Sequence, residues 1–257
     1  MDKLPSTMNI FPSQVKVASQ IRHLINVHVE SEALIRPHFF LTGPSGSGKS
    51  FLTKIIAEDF DIPYFEINAA QVTAEGLSGN SLSKALRPLR EHWHKPNVIF
   101  IDEFDKLFQR NGETTEGFRS QVQDEFLHML ESTNASIFTD YGKYEPVKIE
   151  NSLFIFAGAF SGQKIDTLDA LRESGLRTEF VGRVPLVFST EAITLQELKN
   201  ALPDTDLFNR YLKMTKANKN KAIKDINVML EDQLKQLDLG VRLLHSCIHQ
   251  YFMRHIK

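Results

Sequence analysis

FFLTGPSGSGKS, Phe39 to Ser50, is the stretch whose reading decides the fold. Gly43, Pro44, Ser45, Gly46, Ser47, Gly48, Lys49 and Ser50 fit G-x-x-x-x-G-K-[ST] at every position, directly after an apolar, strand-like run from Phe39 to Leu41. Glycines let successive backbone N–H groups turn inward around phosphate oxygens. The helix that follows, read from FLTKIIAEDF, adds its positive end at the same point. Lys49 is expected to reach the β- and γ-phosphates of a nucleotide, and the Ser50 hydroxyl to hold Mg²⁺. A plain Gly/Ser-rich turn shares this composition but lacks the strand before it and the helix after it.

Working outward, NVIFIDE from Asn97 to Glu103 reads as a buried strand ending in two carboxylates. Buried charge is costly unless paired or bound to metal, so Asp102 and Glu103 call for a use. Beside a P-loop, Asp102 is expected to complete the Mg²⁺ shell and Glu103 to polarise the water that attacks the γ-phosphate. Further strands are read at Ile62 to Ala69, Ser152 to Ala159 and Val184 to Ser189. Strands alternating with helices predict a parallel α/β sheet with ligands at the carboxyl ends of its strands.

The remaining segments are read more coarsely. Near the N-terminus, Val17, Ile21, Leu24, Ile25 and His28 recur at helical spacing, with Ser13 as the expected N-cap. A Gly-bracketed loop, Gly76 to Gly79, opens a helix running toward His94, and Gln109 to Phe118 reads as a polar loop. Val122, Phe126, Met129 and Leu130 share one face of an expected helix, and FTDYGKYEPVKIE, Phe138 to Glu150, reads as a hairpin-like excursion with Gly142 at its tip. Beyond about Thr190 the chain reads as strand-free, with helices around Leu195 to Leu202, Asp206 to Lys213, Ala222 to Leu237 and Gly240 to His255.

Composition bounds the function. With 32 acidic against 30 basic residues in 257, the formal charge of −2 gives no global attraction to nucleic acid. The single cysteine, Cys247, excludes an internal disulfide framework and a cysteine zinc cluster, as suits a reducing compartment. No apolar run approaches the roughly 20 residues of a membrane span, so no membrane partner and a cytoplasmic location are expected.

Taken in order, these motifs resemble the AAA+ ATPases, and within them the ClpX and HslU branch of ring-shaped protein unfoldases. GPSGSGKS resembles the family's Walker A, and VIFIDEFDKL its Walker B with the helix beyond. VTAEGLSGNSLSKAL is similar to the segment carrying the substrate-gripping pore loop, FIFAGAF to the strand before sensor 1, and GLRTEFVGRVPLVF to the Gly-Arg-Leu-Pro segment. LGVRLLHSCI resembles the Gly-x-Arg of sensor 2.

The resemblance implies a three-layer P-loop α/β domain over residues 1–190 and a small all-α lid over 191–257. It implies an ATPase using ATP and Mg²⁺, with Gly43 to Ser50 and Phe51 binding nucleotide and Ile10 and Phe11, beside Asn9, packing on adenine. Arg183 becomes an arginine finger presented to a neighbouring copy, and Arg242 becomes sensor 2. Gly76, Leu77, Ser78 and Gly79 become the pore loop. A homo-oligomeric ring, a hexamer, acting on protein substrates follows.

The chain departs from the family at four places. Ala157, Gly158 and Ala159 offer no Asn or Thr at sensor 1, and Leu77 replaces the pore-loop aromatic. The stretch between FIFAGAF and GLRTEF is short for the loop that docks a ClpP-type peptidase, so that partner is not expected, and no zinc-binding domain is expected either. Two other readings stay open: a motor on nucleic acid, using Lys84, Arg87 and Arg90, and an ATP-dependent assembly switch without translocation.

Overall fold

A computed structural model describes residues 10–73, 80–107, 113–139, 142–234 and 239–255. In chain order it contains α1 (Val15–Glu30), β1 (Phe39–Thr42), α2 (Lys49–Asp59), β2 (Tyr64–Asn68), the short strands β3 (Val72–Thr73) and β4 (Asn80–Ser81), α3 (Leu82–Ala85) and β5 (Asn97–Asp102). Next come α4 (Glu113–Glu131), the antiparallel pair β6 (Asn134–Phe138) and β7 (Tyr144–Lys148), β8 (Ser152–Gly158), α5 (Leu168–Glu173), α6 (Thr178–Arg183) and β9 (Leu186–Ser189). Four helices close the chain: α7 (Leu195–Ala201), α8 (Asp206–Thr215), α9 (Lys219–Leu234) and α10 (Val241–His255).

The five strands expected from the sequence form one parallel sheet in the order β2-β5-β8-β1-β9. Both faces are apolar, which explains why VIFI and LFIF read as unbroken hydrophobic runs rather than alternating ones. Phe39, Leu41, Val98, Phe100, Leu153 and Ile155 point to one face, against Val17 and Ile21 of α1 and Leu52 and Ile56 of α2. Phe40, Ile99, Ile101, Phe154 and Phe156 point to the other, against Phe126 of α4 and an aromatic knot of Phe104 and Phe180. Alternate residues thus hold two helical layers on one sheet. A separate cluster, including Leu198, Phe208, Ile226, Leu244 and Phe252, lies among the C-terminal helices. The fold is a parallel α/β sheet layered between helices, with a C-terminal helical region.

Several local expectations are corrected. Ser13 does not cap α1: it lies in a 3-10 turn, Pro12–Gln14, and α1 begins after Gln14 without a side-chain cap. The helix expected toward His94 stops at Ala85 and continues as a 3-10 turn, Arg87–Glu91. Pro88 lacks the N–H an α-helix would use there. The polar segment after Gln109 is helical from Glu113, and the hairpin starts further back, at Asn134.

At the opposite end of the sheet from the Gly-rich loop, just before β1, buried His38 accepts a hydrogen bond at Nδ1 from the Phe154 amide, 3.1 Å away, and sets its ring edge-on to Phe154. That bond requires an unprotonated nitrogen. Burial, with help from the charges of Arg36 and His28, pulls the His38 pKa down to about 3. The unfolded chain takes up this proton near pH 6.5, so the stability is complete above that value and is lost as pH falls toward 3. His38→Asn keeps an acceptor but cannot titrate. Urea unfolding of both proteins between pH 7 and 5 is expected to show the wild type losing up to about 1.4 kcal/mol per pH unit more than the variant below pH 6.5.

Candidate active site

Parallel register brings the ends of the strands to one edge. Thr42 stands beside Gly158 on one side and Ser189 on the other, Phe156 beside Ile101, and Asn68 beside Asp102. The Gly-rich loop leaves β1, and Glu103 leaves β5, at the carboxyl edge where open α/β sheets bind ligands.

The loop is tied from three directions. Thr190, just beyond β9, donates from its amide and its Oγ1 to the Thr42 carbonyl, at 2.9 and 3.1 Å, and shares a hydrogen bond with Ser47 Oγ at 2.6 Å. Gln14, buried before α1, donates from Nε2 to the Ser47 carbonyl at 2.6 Å, while its Oε1 accepts from the Phe11 amide at 3.1 Å. Gly48, at φ +87°, caps α2 where Gln14 leaves no room: a Cβ there would sit 2.4 Å from Gln14 Nε2. From the C-terminal helices, the Val241 amide donates to the Gly46 carbonyl at 3.4 Å. Gly46, at φ +75°, lies so close to that segment that a Cβ would fall 2.0 Å from the Leu239 carbonyl.

Lys49 opens α2 and is buried, with Nζ donating to the carbonyls of Gly43 and Pro44 at 2.8 and 2.9 Å. Burial pulls its ammonium down to about 8, against the carboxylates of Asp102 and Asp105, which hold it up, and with Arg242, which lowers it further. Arg242 donates from its guanidinium to Ser45 Oγ at 3.3 Å. Two cations, one satisfied only by neutral carbonyls, thus converge on a loop at a helix N-terminus. This donor set fits a polyphosphate, whose charge would favour the ammonium form of Lys49. Ser50 and Asp102, both half-buried at the same edge, are oxygen ligands of the kind a hard divalent cation takes.

Beyond Asp102 the backbone turns sharply. Glu103 has φ +55° and an exposed side chain, and its amide donates to Asp102 Oδ1 at 2.8 Å. In the 3-10 turn Phe104–Leu107 that follows, Asp105 is 3% exposed and accepts from the amides of Ala159 and Phe160.

The other expected residues are distributed as follows. Ile10 packs with the sheet cluster and Phe11 with the C-terminal helical cluster, so this segment spans the two cores beside the loop. Phe51 is 52% exposed. Arg183, at the end of α6, pairs with Glu131 of α4 at 2.5 Å. Asn9 and the expected pore loop, Gly76 to Gly79, lie outside the described residues. Sequence reasoning assigned no role to Gln14, Asp105, Thr190 or Glu197. Only Asp105 carried a signal, as a third acid beside the Asp102–Glu103 pair.

A family model described as the ATPase family associated with various cellular activities (AAA) matches residues 39–214. The ATP-dependent Clp protease ATP-binding subunit ClpX of Treponema denticola is 29% identical over 209 residues, 75% of this chain and 49% of that protein. ClpX 2 of Wolinella succinogenes is 27% identical over 268 residues, 88% of this chain and 66% of that protein. ClpX of Porphyromonas gingivalis is 24% identical over 267 residues, covering 85% and 65%. The chain therefore spans between half and two thirds of the length of these relatives.

The Gln14 bridge can be tested by itself. Gln14→Leu, similar in size, leaves the Phe11 amide and the Ser47 carbonyl without their partner; a loss of about 1–3 kcal/mol in unfolding free energy is expected from urea titration.

Proposed function

The chain belongs to the AAA family of ATPases and is ClpX-like in sequence, and from that premise we propose that it works as an ATP-driven ring motor that remodels protein substrates or complexes. The observation that carries the reading is the contact of α10 with the phosphate loop. Arg242 on Ser45 and the Val241 amide on the Gly46 carbonyl join the C-terminal helices to the Gly-rich loop, which supports a reading in which a change at the γ-phosphate acts on their position. A motor needs that coupling.

In this reading Lys49 leaves the carbonyls of Gly43 and Pro44 for the β- and γ-phosphates, and Arg242 follows the terminal phosphate. Mg²⁺, held by Ser50 and Asp102, would neutralise phosphate charge as it develops. Glu103, exposed at the end of the Asp102 turn, orients and polarises the attacking water. Arg183 serves a neighbouring copy: its ion pair with Glu131 is about half exposed on both sides, and exposed pairs contribute little, so the guanidinium exchanges partners at small cost. A phosphoryl group stabilised by a neighbour's arginine makes turnover depend on assembly, which favours a closed ring, a hexamer. The segment around Leu77 is the proposed grip on polypeptide. The nearly balanced charge favours protein over nucleic acid as cargo.

Three variants test this. Lys49→Ala is expected to abolish ATP binding, while Glu103→Gln binds ATP but turns it over about 10²- to 10⁴-fold more slowly. Arg183→Ala is expected to bind ATP without turnover, and mixing it with Lys49→Ala copies, which supply the missing arginine, restores hydrolysis; no recovery would exclude action in trans. Glu103→Gln loaded with ATP should retain a specific protein substrate that Lys49→Ala does not. Retention of nuclease-sensitive material instead would overturn the protein-remodelling reading.

A further inference from the structure

The turn that follows β8 has no polar side chain of its own to offer the nucleotide edge until Ser161. Gly158, Ala159 and Phe160 stand there, and Phe160 and Ser161 both adopt left-handed backbone, at φ +48° and +52°. The polar contact arrives from the turn beyond the neighbouring strand β5. Asp105, two residues after Glu103, accepts from the Ala159 amide at Oδ1, 3.3 Å, and from the Phe160 amide at Oδ2, 3.1 Å.

The fit around this carboxylate is close. A Cβ at Gly158 would lie 2.7 Å from Asp105 Oδ1 and 2.9 Å from both its Cβ and the Phe160 ring. Lys106 Nζ lies 3.4 Å from Oδ2, on the outer side. Buried, and with each oxygen accepting from a backbone amide, Asp105 is placed to hold the turn after β8 rather than to face solvent. It lies directly behind the turn that presents Glu103, which is held in front by Asp102 accepting from its amide and closed by the Lys106 amide on the Glu103 carbonyl at 3.0 Å.

We propose that Asp105 is a positioning residue for ATP hydrolysis: its carboxylate clamps the turn after β8 to the turn bearing Glu103, so that the two approach the terminal phosphate as one rigid piece. The proposal rests on the ATPase reading above and assigns to the Walker B turn a task for which this chain has no side chain at the end of β8. A reacting geometry that slips by about 1 Å loses rate on the order of 10²-fold, whereas ground-state binding through the Gly-rich loop, Lys49 and Arg242 feels Asp105 only through its charge, which helps hold Lys49 as an ammonium.

Asp105→Asn keeps the shape but sets an NH₂ group against one of the two amides. The expected result is a fall of roughly 10- to 100-fold in kcat that exceeds any loss of ATP affinity, accompanied by faster hydrogen exchange at the Ala159 and Phe160 amides. Gly158→Ala pushes on the same carboxylate from the other side and supplies a second route if the first variant folds poorly; the two effects should be less than additive in the double variant. An unchanged kcat in both variants overturns the proposal. So does a parallel fall of kcat, ATP affinity and thermal midpoint, which would mark Asp105 as purely structural. If the wild type itself turns over no ATP, the proposed function fails instead, and unchanged exchange at the two amides then overturns the clamp.

Discussion

Parallel pairing of β5, β8 and β1 is the constraint on which the rest of this molecule depends. A parallel strand must be followed by a crossover, so every strand leaves the sheet at the same edge. Here that edge collects the Gly-rich loop after β1, the acidic turn after β5, the Asp105-held turn after β8 and Thr190 after β9. The register is enforced by burial: a slip of one residue would turn Phe39, Leu41, Val98 and Phe100 away from α1 and α2 and move the turns at the strand ends out of line. The phenylalanines that make the strands legible also set the chemistry's geometry.

Charge at this edge is arranged rather than balanced. Lys49 is buried over neutral carbonyls, Arg242 adds a second cation, and Asp102 and Asp105 stand behind them. A buried cation short of a direct anionic partner is costly in a resting protein, and the cost is recovered when an anion with several oxygens arrives.

Much of this was readable beforehand, and the reason is chemical. G-x-x-x-x-G-K-[ST] and a hydrophobic strand ending in Asp-Glu are local patterns whose residue types are dictated by phosphate and metal, so they announce themselves without tertiary information. The five strands were legible because a sheet covered on both faces needs apolar residues at every position, as in β8. Gln14 was not legible: a glutamine binds carbonyls and amides anywhere, and its role exists only because Ser47 is folded beside it. Ser13 misled for a related reason, since its amide, not its hydroxyl, finds a partner, Glu197, 184 positions away. The early end of α3 was written in Pro88, but competed with a run of good helix formers around it.

The Ser13–Glu197 contact has a mechanical meaning. The Glu197 carboxylate accepts from the Ser13 amide at 2.7 Å and also closes the cap of α7 with Thr194, so the first turn of the C-terminal helices is anchored to the chain that precedes α1. The same region is joined covalently through Thr190, itself fixed to Thr42. At their far end the same helices meet the Gly-rich loop through the Val241 amide on the Gly46 carbonyl and Arg242 on Ser45. The C-terminal helices are thus tied at two separate places, near the first turn of α7 and at the start of α10. Loss of the contacts at α10 leaves the ties at Ser13 and Thr190 intact, so the two ends of this region are able to loosen independently.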